Sequence, residues 1–208
     1  MEDVLAVYTR PADPSRPVVC LDETSRQLLG DARAPRLPAP GWPARHDPEY
    51  VRGGVANVFL VTEPLRGWRQ VLVSDRRTRL DFALCVKELV DVHYPQVERI
   101  VLVMDQLNTH SPASLYDAFP PAEAKRLADR LEIHYTPKHG SWLNMAEIEL
   151  SALQRQCLAR RLGDRATMEC EVAAWVAARN RATTMIDWRF TTEDARITRK
   201  RLYPVVHA

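Results

Sequence analysis

The sequence predicts an α/β fold, a five-stranded mixed sheet flanked by helices, and three patterns predict it. Two short apolar runs each end in an aspartate: Val18-Val19-Cys20-Leu21 closed by Asp22, and Ile100-Val101-Leu102-Val103-Met104 closed by Asp105. Apolar runs of this length read as strands buried on both faces. Between them, Ala56–Thr62 and the alternating Trp68–Ser74 flank a turn at Glu63–Gly67 and read as a hairpin. Beyond residue 140 the apolar spacing becomes helical.

Each element follows in order. Residues 2–9 have a short helical pattern, and Pro11, Pro14 and Pro17 make a linker. The first strand is expected at 17–23. Residues 31–54 hold Pro35, Pro38, Pro40, Pro43 and Pro48, with Gly41, Gly53 and Gly54. That density forbids a central strand or a helix, so an ordered loop is expected. After the hairpin, Leu80, Ala83, Leu84, Val86, Leu89 and Val90 fit a helix over 79–93. The fourth strand covers about 99–105. A helical region over 112–130 breaks near Pro120-Pro121 and restarts at Pro121, since proline suits a helix's first turn. Leu131–Thr136 is a fifth strand. Helices are expected at 143–160 and 167–182, and the tail from Asp187 reads as basic and mixed. Strand, hairpin, then βα units and helices is the order of a ribonuclease H-like sheet. In that arrangement the first and fourth strands are parallel neighbours, which places Asp22 beside Asp105.

The bulk properties exclude some classes. No stretch approaches the roughly 20 apolar residues that span a bilayer, and the N-terminus lacks a signal-peptide pattern, so a cytoplasmic location without a membrane partner is expected. Cys20, Cys85, Cys157 and Cys170 form no Cys-x-x-Cys pair and read as reduced and structural. Net charge is only +2, but the basic residues are 25 Arg against 4 Lys. Coding bias explains the ratio as a whole; the forked guanidinium also suits phosphate. The clusters Arg76-Arg77, Arg160-Arg161 and Arg199-Lys200-Arg201 are the candidates for that role.

Three acids carry the candidate chemistry. Asp22 and Asp105 end strands at the sheet's carboxyl edge, where open α/β sheets bind ligands. Glu23 alternates to the other face. Glu147 follows Thr136-Pro137-Lys138-His139-Gly140-Ser141-Trp142-Leu143-Asn144-Met145-Ala146, where Gly140-Ser141 permits a turn and Ser141 or Asn144 can cap the helix. Glu149 lies about 200° further round, so only one of the two can face the pocket, and the local pattern favours neither. Such an oxygen-rich set suits Mg²⁺ and metal-assisted phosphoryl transfer.

Leu-Asp-Glu-Thr, Val-Met-Asp-Gln-Leu-Asn-Thr-His and Tyr-Thr-Pro-Lys-His-Gly-Ser-Trp-Leu-Asn-Met-Ala-Glu resemble the catalytic (DDE) domain of bacterial insertion-sequence transposases. The nearest group is the insertion sequence 630 type, related to mariner transposases, and the likeness runs from about Val18 to Tyr203. It implies a ribonuclease H-like fold in which Asp22, Asp105 and Glu147 hold two Mg²⁺ or Mn²⁺ ions. Two features depart from the pattern. Gln106 stands where Asn is usual after the second acid, and 42 positions separate Asp105 from Glu147, more than in mariner relatives. Relatives also carry N-terminal helix-turn-helix modules. Here 1–16 reads as linker helix and Pro-rich linker and 17–208 as catalytic domain, so the chain is expected to be a fragment, a truncated copy or half of a split gene.

The activity implied is metal-dependent cleavage and strand transfer of DNA. Partners would be element ends and target DNA, a second copy in a homodimer and, in the split-gene case, a separate helix-turn-helix half. Lys138, His139 and the arginine clusters, with Asn108 and His110 at the same edge, are candidate DNA contacts. Trp142 can stack on a base or pack beneath the active-site loop. The alternative is a truncated, non-catalytic DNA-binding or dimerising inhibitor of intact copies. A Mg²⁺-dependent phosphohydrolase on a doubly wound sheet is disfavoured by the hairpin and the Trp-Leu-Asn motif.

Overall fold

Strand β1 (Val18–Asp31) pairs antiparallel with β2 (Tyr50–Glu63), which pairs antiparallel with β3 (Trp68–Ser74). On its other side β1 pairs parallel with β4 (Ile100–Met104), and β4 parallel with β5 (Leu131–Tyr135). The order β3-β2-β1-β4-β5 is a five-stranded mixed sheet with the two apolar runs at its centre. This computed structural model describes residues 1–34, 39–42 and 48–199. Pro35, Pro38 and Pro43 of the expected loop, and Lys200 and Arg201, lie outside them.

Helices cover both faces. On one lie α1 (Glu2–Tyr8), α5 (Ala146–Gln156), α6 (Arg165–Arg181) and α7 (Thr192–Thr198), packed around Cys20, Val58, Leu60, Val101 and Val103. On the other lie α2 (Arg79–Glu88), α3 (Ala113–Ala118) and α4 (Pro121–Asp129), around Val19, Leu21, Phe59, Leu102 and Met104. Every residue of β4 is buried, as a strand covered on both faces requires. Burying one such aliphatic side chain is worth roughly 1.5–3 kcal/mol. Val4, Leu5 and Val7 dock α1 on this core, although the sequence suggests a linker there. Among the described residues, no helix is long and apolar enough to cross a membrane.

Several boundaries differ from expectation. β1 runs eight residues past 23, and β2 begins at Tyr50, inside the expected loop. The extra length is a ribbon whose β2 half, Tyr50–Val55, is exposed throughout, so burial leaves no mark on its sequence. The expected 79–93 helix changes at Leu89 into a π-helical turn ending at His93. The expected 143–160 helix starts as a 3₁₀ turn at Ser141–Leu143 and becomes α-helical only from Ala146. α7 lies in the tail read as basic and mixed; Thr191 and Asp194 form a reciprocal capping box at its start, a pattern visible as Thr-x-x-Asp. Gly67 turns the β2–β3 hairpin with φ +65°, and a Cβ there would come within 2.6 Å of the Thr183 backbone.

Candidate active site

Parallel pairing of β1 and β4 brings the two aspartates together. The register sets Val19 against Leu102 and Cys20 against Val103. Two residues further along, each strand delivers its acid at the same edge. Asp22 shares the parity of Cys20 and therefore the α5 face of the sheet; it is 7% exposed. Asp105 follows immediately after β4, with its side chain 35% exposed. Oδ1 of Asp105 accepts the Leu107 amide at 3.0 Å, an Asx turn that ends the strand.

The third acid arrives through Asn144. Its buried side chain donates to the Leu21 carbonyl at 2.8 Å and accepts the Ala146 amide at 3.1 Å. One side chain thus pins the start of α5 to the peptide preceding Asp22. The Tyr8 hydroxyl braces the same segment by donating to the Leu143 carbonyl at 2.8 Å. Gly140 is needed for space, since a Cβ would lie 2.6 Å from the Pro137 ring. Glu147, in the first turn of α5, is half-buried beside an open groove of about 420 Å³ lined also by Ser141, Trp142, Ser151 and Arg155.

Packing distinguishes Glu147 from Glu149. Glu149 is 1% exposed and lies 3.1 Å from Arg69 Nε, while Arg179 donates to both its oxygens at 3.1 and 2.7 Å. Glu149 thus serves the core, while Glu147 stays half-buried and repels the Asp22 carboxylate.

Burial pushes the Asp22 carboxyl up to about 7, with repulsion from Glu147 and then Asp105 adding to it and the Glu23 amide opposing it. Asp105 moves the other way: its contact with His110 holds it below the ordinary carboxylate range, against burial. Burial alone would lower His110, but Asp105 and Glu23 outweigh it and raise the imidazole to about 9. Among the described residues, no three His, Cys, Asp or Glu side chains are gathered into a ready metal cage. The donors nonetheless suit a hard divalent cation. All three are carboxylates, and Asp22 carries mutual repulsion that such a cation relieves.

The folded chain holds the Asp22 proton more tightly than the unfolded chain does. Its contribution to stability is therefore present below about pH 4 and is lost as pH rises through 7. Asp22→Asn, which mimics the protonated acid, should raise the metal-free melting temperature relative to the parent at pH 8 but not at pH 4. Equal differences at both pH values would show that Asp22 does not carry this repulsion.

The remaining candidates divide. Ser74, the end of β3, is level with Asn57 and through it with Ser25, so exposed Arg76 and Arg77 lie at the acid-bearing edge. Lys138 and His139 are exposed in the turn after β5, at the same edge, and His139 is held at φ +62°. Asn108 is exposed in the loop after Asp105. His110 corrects the sequence reading: at 1% exposure it cannot be a surface phosphate contact and is wedged between Asp105 and Glu23. Arg161 bonds Asp31 and the Glu49 carbonyl, tying the ribbon to the helical layer. Arg160 pairs with Glu171. Arg199 covers the Trp142 ring at 4.8 Å, and Phe190 meets Trp142 edge-on at 5.3 Å, so the tryptophan packs. Asn144 was a candidate cap in the sequence, but its tie to Leu21, 123 positions away, escaped that reading, as did Arg69 and Arg179, whose partners lie 30 to 111 positions away.

A family model described as a DDE superfamily endonuclease matches residues 17–169. No curated protein matches the sequence. Among solved structures, the Mos1 mariner paired end complex with Mn is similar at TM-score 0.58 and 15% identity, covering 87% of this chain and 54% of that one. The Mos1 strand transfer complex gives 0.58 and 16%, covering 87% and 53%. The Mos1 paired end complex with Mg gives 0.51 and 15%, covering 87% and 56%. At these identities the likeness is one of fold. The chain spans about half the length of the transposase chains it matches.

Proposed function

The chain belongs to the DDE superfamily of endonucleases, and from that premise we propose that it is the catalytic domain of a transposase, cleaving DNA strands and transferring them with two divalent metal ions. The observation that carries this reading is the convergence of Asp22 and Asp105 from paired parallel strands, with Glu147 electrostatically coupled to Asp22. We further place it with the insertion sequence 630 type, on the three motifs. The solved mariner complexes with Mn and with Mg support the choice of metal.

Asp22, Asp105 and Glu147 would hold the ions. When bound, Mg²⁺ or Mn²⁺ supplies Lewis-acid stabilisation of the transferring phosphoryl group and activation of the attacking oxygen. The protein's own contribution is positioning and charge. The central strands fix the two aspartates, and Asn144 sets the start of α5 against β1. Arg76, Arg77, Lys138 and His139, on loops at the same edge, bind phosphates and orient the duplex without reading its sequence. The partner is DNA, with the reaction run by a pair of chains.

In supercoiled plasmid, the chain should nick slowly and without sequence preference in Mn²⁺ or Mg²⁺, and not in EDTA. Nicking that persists in EDTA would overturn the metal-dependent reading. Affinity for duplex DNA should fall steeply with salt, because phosphate contacts dominate it. Arg76→Ala with Arg77→Ala should weaken binding to every sequence alike and flatten that salt dependence, each lost contact lowering the log–log slope by about one. Sequence preference that survives high salt would mean that this chain carries its own base-reading surface.

A further inference from the structure

His110 and Glu23 lie outside the three carboxylates, yet the fold buries both beside them. Glu23 follows Asp22 on β1 and so leaves the sheet on the opposite face, where its side chain is 4% exposed. His110 exposes none of its side chain. Its Nε2 lies 2.8 Å from Glu23 Oε2, and its Nδ1 lies 2.6 Å from Asp105 Oδ1. Phe82 packs against the ring at 5.0 Å between centroids. The loop around it is also held. The His110 amide donates to the Leu107 carbonyl at 2.8 Å, the Tyr135 hydroxyl to the His110 carbonyl at 2.9 Å, and the Ser114 hydroxyl to the Thr109 carbonyl at 2.7 Å.

Resting on the metal-dependent reading above, we infer that His110, anchored by Glu23, is a positioning residue that orients the Asp105 carboxylate so that Oδ2 is presented to a divalent cation. Asp105 lies beyond the last residue of β4, so strand hydrogen bonds do not fix its side chain. The Leu107 amide and His110 Nδ1 do so instead, and both act on Oδ1. Among the described residues, Oδ2 accepts no hydrogen bond and joins no ion pair. A carboxylate held by one oxygen offers the other in a defined direction, and groups holding a ligand in this way typically change metal affinity 10- to 100-fold. Glu23 contributes by placing a carboxylate 2.8 Å from the far nitrogen, an ion pair rather than an aligned hydrogen bond, which opposes the ring's turning away. The line Glu23–His110–Asp105 therefore crosses the sheet edge from the buried α2 face to the acid cluster.

Two amide substitutions separate the two ends of the ring. The His110→Asn amide nitrogen stands near the place of Nδ1 and keeps a donor toward Asp105. The His110→Gln amide reaches toward Glu23 and leaves Asp105 without that donor. Mn²⁺ binding to the purified chain would be measured by titration calorimetry, beside metal-free thermal melts. His110→Gln should weaken Mn²⁺ binding about 10- to 100-fold. His110→Asn should keep an Mn²⁺ affinity closer to the parent's than His110→Gln does, although it leaves Glu23 without its partner and melts lower. Equal Mn²⁺ affinities in the two variants would overturn the inference, whether both match the parent or both weaken in step with stability. Asp105→Asn separates the failures. If it loses Mn²⁺ binding while His110→Gln matches the parent, only the positioning role falls. If Asp105→Asn binds like the parent, the metal site itself is misplaced and both readings fall.

Discussion

Asp105→Asn should lower metal-dependent DNA nicking by about a thousandfold or more while leaving the fold intact. Asn has the shape of Asp, and its carbonyl oxygen can still accept the Leu107 amide that closes the turn after β4. What disappears is the negative charge, and with it the strong oxygen donor for a divalent ion. The substitution also weakens the contact with His110, which the calorimetry above resolves separately. Single-turnover nicking with excess protein is the measurement, with a melting curve to confirm folding. Cleavage at the parent rate would defeat the mechanism, because no other acid stands at the end of β4.

The second large effect concerns stability. Glu149→Ala should cost about 3–5 kcal/mol, lowering the melting temperature by roughly 10 °C or more. Glu149 is buried against the fully buried Arg69 and receives two bonds from Arg179. Its removal leaves a guanidinium in the core with its charge uncompensated. Arg69 keeps other ties, since Asn180 accepts its amide and donates to its carbonyl, both at 2.8 Å. Those bonds hold β3 to α6 but supply no negative charge. Glu147→Ala should show the reverse profile: little change in melting temperature and loss of nicking. If the two variants exchanged profiles, the assignment of Glu147 to the site and Glu149 to the core would be wrong.

That contrast also shows what a sequence can disclose. Asp22 and Asp105 are legible because each terminates an apolar run, and the element order implies that those runs are neighbours. Their pairing is what the register delivers. Glu147 and Glu149 share one helix turn and one composition. Only the arrival of Arg69 from β3 and Arg179 from α6 separates them, and no local pattern reports a contact across 30 or more positions. His110 is illegible for the same reason. In the chain it looks like one more polar residue in an exposed loop; in the fold it is buried by Glu23, on a strand more than eighty residues earlier. The Tyr50–Val55 half of the ribbon left no signal because it is exposed on both faces, so neither alternation nor an apolar run marks it. α7 was readable through its Thr191–Asp194 box, although its basic surroundings masked it.

The proposed activity requires Asp22, Asp105 and Glu147 to form one cation-binding centre. Anomalous diffraction at the manganese edge, from crystals of this chain grown with Mn²⁺, tests that most directly. Manganese peaks are expected in contact with Asp22 and Asp105, with Glu147 completing the set and the Asp105–His110 contact retained. Manganese bound elsewhere, with the three carboxylates left uncoordinated at saturating Mn²⁺, would contradict it.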